Sequence, residues 1–471
     1  MSRSSMKKIF VLCFAFFRLL SMPVWAQNDL TLYHLPSVPQ RLYTNPSSLP
    51  DCKFFISLPG IGNLNVDAGL QFLELRNIND LIRDEGSHLE FDLSALSDVF
   101  SRDNFIYLNN HIDLGQVGIT LGKSFLHANI GIKNKFRLQY NKDLVDLLVD
   151  GNGGDNLGRT FRLSPNILAQ SYAEVGLGYT RSLGKKDRFK VGTRLKFLRG
   201  LADASTQESD ITFQTNPTDY KYTIGNTLRI NTSGLETEKP WESMGQLSNN
   251  GMAIDLGFHA QLNKRLNVSG AINDLGAIRW KSNTKSYYTP NQLFTFDGVR
   301  IDNILKDTQN VQADLERYKD SFLTLFNIDT SHGREYTTSL PTYFYLGGTL
   351  VLTNNHRLGA LICGDFFEKK IYPALTLSYN ARLTKVISFS VSGSFRRGML
   401  VGLGAGGAIN AGPFQFYTVL DNIPFLGLDR ANYFNIRGGL NLTFRRRAAI
   451  RQERRSRKKN KAKNEVGCLY F

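Results

Sequence analysis

The chain has 471 residues, 42% hydrophobic and 11% aromatic, with four cysteines and a formal charge of +16. The charge does not describe a nucleic-acid binder, because it sits at the ends: +9 in residues 445–471, +4 in residues 1–26 and +3 between them. Only Cys52, Cys363 and Cys468 remain beyond the first segment, an odd number that argues against a disulfide framework in an oxidising compartment. A Cys52–Cys363 bridge is the alternative, and no Cys/His spacing suggests a metal site.

Residues 1–26 read as a signal peptide, with a basic start (Arg3, Lys7, Lys8), an apolar run from Ile9 to Phe17, and Ala26 two positions after Val24. Cleavage is expected between Ala26 and Gln27. Arg18 and Pro23 interrupt a run already shorter than the ~20 apolar residues of a spanning helix. No later run approaches such a helix, so an exported chain of this kind is soluble or an outer-membrane β-barrel.

From about residue 111 the chain falls into alternating segments joined by short turns: 112–122 with 125–140, 171–184 with 188–198, and 251–263 with 266–280. The last third is densest, with strands expected near 342–353, 357–366, 371–383, 386–396, 398–410, 413–421 and 432–444. Residues 141–151 and 301–326 carry helical spacing and read as loop insertions, and 231–250 reads as a long polar loop. Strands of 11–16 residues exceed the five or six usual in soluble sheets and suit a tilted membrane span.

The polar faces of these strands are cationic. The inward set would hold Lys133, Lys135 and Arg137 on one strand, Lys190, Arg194 and Lys196 on another, and Arg396 and Arg437 nearer the end. These are candidate lumen ligands for anionic solutes. The competing reading is that they pair with Glu174, Asp255 or plug residues and pack the lumen. In the last strand Phe434, Ile436, Leu440, Leu442 and Phe444 share the outward face, an alternation ending on an aromatic that suits a terminal insertion signal. Tyr433 and Phe444 are expected as aromatic anchors at the two interfaces.

Four stretches, 43–64, 272–280, 339–350 and 401–422, resemble in their order a family of outer-membrane barrels from the Bacteroidota that carries only a domain-of-unknown-function label. More distantly, Asn45-Pro46 is similar to the Asn-Pro pair of the long-chain fatty-acid transporter superfamily, although Ser47 stands where that form has alanine. The resemblance implies an outer-membrane location and a barrel of 14 strands with an N-terminal plug.

Other motifs lose their sharper readings. "GLGAGG" (402–407) is followed by more strand, whereas a nucleotide loop needs a helix there. "DGNGGDN" (150–156) has Gly154 and Asp155 where a calcium loop needs a ligand and a glycine. The seven histidines are scattered, and no catalytic constellation is expected.

The sequence therefore predicts an all-β, transmembrane, antiparallel up-and-down barrel of about 14 strands (range 12–16) with helical loop insertions. Its expected parts are a signal peptide (1–26), a plug (27–65), the barrel (66–444) and a basic disordered periplasmic tail (445–471). No cofactor, metal, nucleic acid or enzymatic role is expected. The expected partners are outer-membrane lipid, the barrel-assembly machinery, and anionic cell-wall or lipid groups for the tail. The expected role is passive binding or transport of a small amphipathic or anionic solute. The alternative is a structural barrel that docks envelope or secretion partners.

Overall fold

The computed structural model describes residues 29–70, 82–84, 89–91, 100, 102–184, 187–235, 248–289, 292–296, 329–367, 370–384, 386–396, 399–422 and 433–444. The signal peptide, the 301–326 helix, the basic tail and the side chain of Arg396 lie outside the described residues.

Among the described residues the alternating segments form a closed antiparallel barrel of 14 staves. In chain order they are β1 (Phe54–Ser57 and Leu64–Leu70), β2 (Asp103–Leu121), β3 (Ser124–Asn141), β4 (Asn166–Leu183), β5 (Phe189–Thr215), β6 (Asn250–Gln261) and β7 (Leu266–Trp280). The second half comprises β8 (Thr342–Val351), β9 (His356–Phe367), β10 (Lys370–Arg382), β11 (Ile387–Arg396), β12 (Met399–Ala411), β13 (Phe414–Asp421) and β14 (Tyr433–Phe444). Each stave pairs with the next, and β14 returns to β1 through Phe54↔Phe444 and Val66↔Ile436. Closure pairs every edge, which lipid would otherwise leave without hydrogen-bond partners.

The faces follow the period of two. Leu126, Ile130 and Phe136 on β3, and Leu195 and Phe197 on β5, are exposed, while the lysines and arginines between them are buried. An apolar outside around a polar inside is the arrangement of a membrane barrel. On β5 the exposed apolar positions run from Phe189 to Phe197, close to the ~9–11 residues of a tilted transmembrane strand. The two rims differ. Tight turns such as those at Gly122 and Gly412, both at positive φ, share one rim with Phe54 and Phe444, where the barrel begins and ends. The longest connections leave from the other.

Three expectations need correction. Residues 54–57 and 64–65 do not belong to the plug, because they pair with both β2 and β14 as wall. β5 does not stop near 198; it runs to Thr215 and pairs with an unforeseen strand, Tyr222–Ser233. This extension lies beyond the apolar belt, and its Thr-, Ser- and Gln-rich sequence offers no apolar face to detect. Tyr433 turns inward onto Phe105 and Tyr107 rather than toward lipid, since outward Phe434 fixes the phase. Cys52 and Cys363 are buried and free. The helix expected within 141–151 is present as Lys142–Val149.

Candidate functional site

Residues 29–53 cross the lumen as a helical turn (Leu30–Tyr33), a 3-10 turn (Pro39–Tyr43) and irregular backbone. Pro36 keeps the first turn short by removing an N–H donor, and Pro39 opens the 3-10 turn at a position that needs none. Leu30, Leu32, Leu35 and Leu42 are fully buried, packed against wall residues such as Leu361, Ala408 and Phe125. The wall is thinned where the segment passes. A Cβ on Gly192 would strike the Pro46 carbonyl, one on Gly257 the Asn45 side chain, and one on Gly404 the Thr31 hydroxyl. The close approach of Thr31 accounts for Gly404 and Gly406 within 402–407.

Asn45 ties the turn to the wall through Nδ2, which donates to the Gly270 carbonyl at 3.2 Å, while its Oδ1 accepts from the Ser47 N–H at 2.9 Å and hydroxyl at 2.7 Å. Ser47 thus adds a bond that alanine could not make. The Pro46 carbonyl accepts from Thr180 Oγ1 at 2.5 Å. At the start of the segment, both oxygens of Asp29 accept from the Arg437 guanidinium, at 2.6 and 2.8 Å. Asp421 accepts the N–H groups of Leu30 and Thr31, each at 3.1 Å. In the middle, Gln40 Nε2 donates to Ser57 Oγ at 2.9 Å and Asn441 Oδ1 at 2.8 Å.

The expected lumen cations meet a matching set of carboxylates. Glu174 accepts from Lys133 at 2.7 Å and Arg194 at 2.9 Å. Asp255 takes Arg194 at 3.1 Å and Lys196 at 2.5 Å. Asp274 takes Lys196 at 2.5 Å and Lys135 at 3.3 Å, and Arg137 reaches Asp365 on the far wall at 2.6 Å. Arg437 belongs to the plug anchor. Lys190 is half-buried and stands outside this network, nearer the tight-turn rim.

Asp274 is the member that strand alternation hides. A register shift opposite Ile254/Leu256 and a left-handed φ of 60° at Asp274 turn both Asn273 and Asp274 inward. Asn273 then donates to the Tyr43 and Thr44 carbonyls at 2.9 and 3.0 Å, and Asp274 joins three lysines. The adjacent Asn-Asp pair is the available signal, since both residues tolerate that conformation.

Between plug and network remains a cavity of about 80 Å³, lined by Asp29, Tyr43, His111, Lys135, Asp274 and Arg437 among others. It has room for a few waters. On the outer extension Asp203 is buried and accepts from Tyr336 Oη and Ser205 Oγ, each at 2.9 Å. Burial pushes its carboxyl up to about 6.

Residues 46–421 match the model of a family described as "Family of unknown function (DUF5723)". No curated protein matches the chain in sequence. Among solved structures, the Pseudomonas putida toluene transporter TodX is similar over 90% of this chain and 97% of its own, at 6% identity and a TM-score of 0.39. A Pseudomonas aeruginosa FadL homologue is similar over 90% of this chain and 98% of its own, at 9% identity and a TM-score of 0.39.

Proposed function

The chain belongs to this DUF5723 family of unknown function, and we propose that it is an outer-membrane barrel gated by its own N-terminal segment. It is closed at rest and admits a small solute only when residues 29–53 shift. The observation that carries this reading is the kind of seal: from residue 29 to 52 the segment lies apart from the staves and is held by non-covalent bonds such as Asp29–Arg437, and backbone pairing with the wall starts only at Lys53. It can therefore leave without unpairing a stave.

Lys133, Lys135, Arg137, Arg194 and Lys196 carry carboxylates, which favours a small amphipathic solute over an anion. Export through a signal peptide cleaved after Ala26 fits an outer-membrane site. The rim of tight turns would face the periplasm, as short turns do in such barrels. The basic tail would begin there, free to adhere to anionic lipid or cell-wall groups through its +9 charge.

The test is liposome swelling with the full chain and with a variant lacking residues 31–50. The full chain should be nearly impermeable and the folded deletion variant permeable. A deletion variant that folds yet passes no solute overturns the gating reading. That result favours the second reading, a barrel that docks envelope or secretion partners, which the 27-residue β5 and its outer extension support.

A further inference from the structure

At the rim of tight turns the plug and the wall enclose a second pocket, separate from the ion-pair network. It lies between the plug bend Leu35–Pro36 and staves β9 to β11, and measures about 320 Å³ with its open mouth included. Arg357, Arg382, Asn355, Asn380 and Ser388 supply its polar lining. Arg357 stands opposite Asn380, and Arg382 stands opposite Ser388. The two guanidiniums therefore rise diagonally from neighbouring staves, roughly 7–8 Å apart at the backbone. The plug brings a third nearby, Arg41, whose Nε donates to the Tyr33 carbonyl at 2.6 Å.

These cations are not matched by acids as those deeper in the lumen are. Asp51 is the carboxylate within electrostatic reach of Arg41 and Arg357 among the described residues, and Arg382 already binds it. Arg357 has no hydrogen bond or ion pair among the described residues. Three guanidiniums against one carboxylate leave two positive charges, and Arg41 on the plug meets Arg357 on the wall as a like charge. The pocket also holds a buried polar group out of balance. Asn380 is 4% exposed, and its Oδ1 has no partner while Nδ2 donates to Ser378 Oγ at 3.1 Å. Half a turn of that amide lets the Ser378 hydroxyl donate to Oδ1 and frees Nδ2 for an acceptor in the pocket.

We propose that this pocket binds the phosphate group of a soluble molecule, and that the bound phosphate fastens the plug to the wall. Phosphate accepts from several donors at once and pairs with a guanidinium through two parallel hydrogen bonds, which suits donors converging from two staves. Arg357 and Arg382 continue the inward positions of Leu361 on β9 and Asn380 on β10. A phosphate reaches them through the aqueous mouth, and the stave wall keeps lipid headgroups away. Its negative charge replaces the repulsion between Arg41 and Arg357 by attraction to both. Fastening needs no passage through the barrel, so it does not depend on the gating reading above.

The experiment titrates the purified protein, in neutral detergent and chloride buffer, with inorganic phosphate by calorimetry. Binding should saturate at one site per chain. Arg357→Gln should weaken it at least about tenfold, the worth of one hydrogen bond to a charged group. Lys264→Gln, which removes an exposed cation from the β6–β7 turn on the same rim, should leave it unchanged. Without phosphate, Arg357→Gln should melt no lower than wild type, because it removes a like charge; a merely structural arginine would melt lower when lost. Phosphate should slow hydrogen exchange in residues 33–42 of wild type and not of Arg357→Gln. Arg382→Gln is the second removal if Arg357→Gln does not fold. Absence of saturable binding, equal weakening by Lys264→Gln, or plug exchange unchanged at saturation overturns the proposal.

Discussion

Replacing Asp29 with asparagine tests the gate at its firmest anchor. Asp29 has φ 57°, a conformation asparagine tolerates and alanine does not, so the substitution removes charge without adding backbone strain. Arg437 is 3% exposed, and in the closed state it would then face a neutral amide. Breaking a buried ion pair costs about 3–5 kcal/mol. Asparagine keeps one acceptor oxygen, so the lower end applies, about 3 kcal/mol or roughly two powers of ten in the closed-to-open ratio. The cost falls on the closed state alone, because withdrawal of the plug lets water reach the guanidinium. In planar bilayers the variant should open about a hundredfold more often than wild type. Adding Arg437→Met removes the stranded charge and should restore part of the closure. If Asp29→Asn opens no more often than wild type while the plug-deleted barrel conducts, Asp29–Arg437 is not part of the gate.

Three further outcomes are expected. Glu174→Gln takes from Lys133 and Arg194 the carboxylate that binds them at 2.7 and 2.9 Å and leaves them Asp274 and Asp255, so it should lower stability by about 3 kcal/mol, the lower end for a broken buried pair, read as an earlier loss of the compact band on heating. Gly257→Val places side-chain atoms where Asn45 and Pro46 sit, so liposomes should leak although the melting of the barrel wall is retained. Asp203 gives a pH dependence to the outer extension: its folded carboxyl titrates near 6 against an ordinary 3.8. As pH rises through that window the unfolded form loses its proton first, so local stability should fall by about 3 kcal/mol between pH 4 and 6 and then level off. Limited proteolysis of the 200–233 hairpin should quicken over that range, and Asp203→Asn should flatten the profile.

What the sequence disclosed depended on whether one period governed a segment. Where lipid lies on one side and a polar lumen on the other, alternation is enforced residue by residue. Lys133 to Arg137 and Phe434 to Phe444 therefore declared their faces before any coordinates. Two kinds of residue escaped. The outer part of β5 and its partner Tyr222–Ser233 stand beyond the belt, where neither face must be apolar, so their composition is that of a loop. Asp274 escaped for the opposite reason: it lies in a strand whose pattern is clear, but a bulge breaks the phase at the one position where a carboxylate is needed. The pairing of Arg137 with Asp365 crosses the lumen and has no local trace in the sequence.

These two escapes bear on how a barrel so rich in charge can be closed. Strict alternation yields inward lysines and arginines in abundance, and a lumen holding them alone would repel itself and stay hydrated. Glu174 and Asp255 answer Lys133, Arg194 and Lys196 from adjoining staves, but two acids do not balance three lysines and an arginine, and Lys135 turns to Asp274. The bulge delivers Asp274, and the same distortion aims Asn273 at the plug carbonyls. One irregularity thereby lowers the cationic excess of the network from two charges to one and seats the plug against it. Deleting Asn273 restores regular alternation with Asp274 still inward between outward Ile272 and Leu275, and removes the donor to the Tyr43 and Thr44 carbonyls, so plug release should appear without lysine excess. A deletion variant that folds with the plug still seated would show that Asn273 does not seat it.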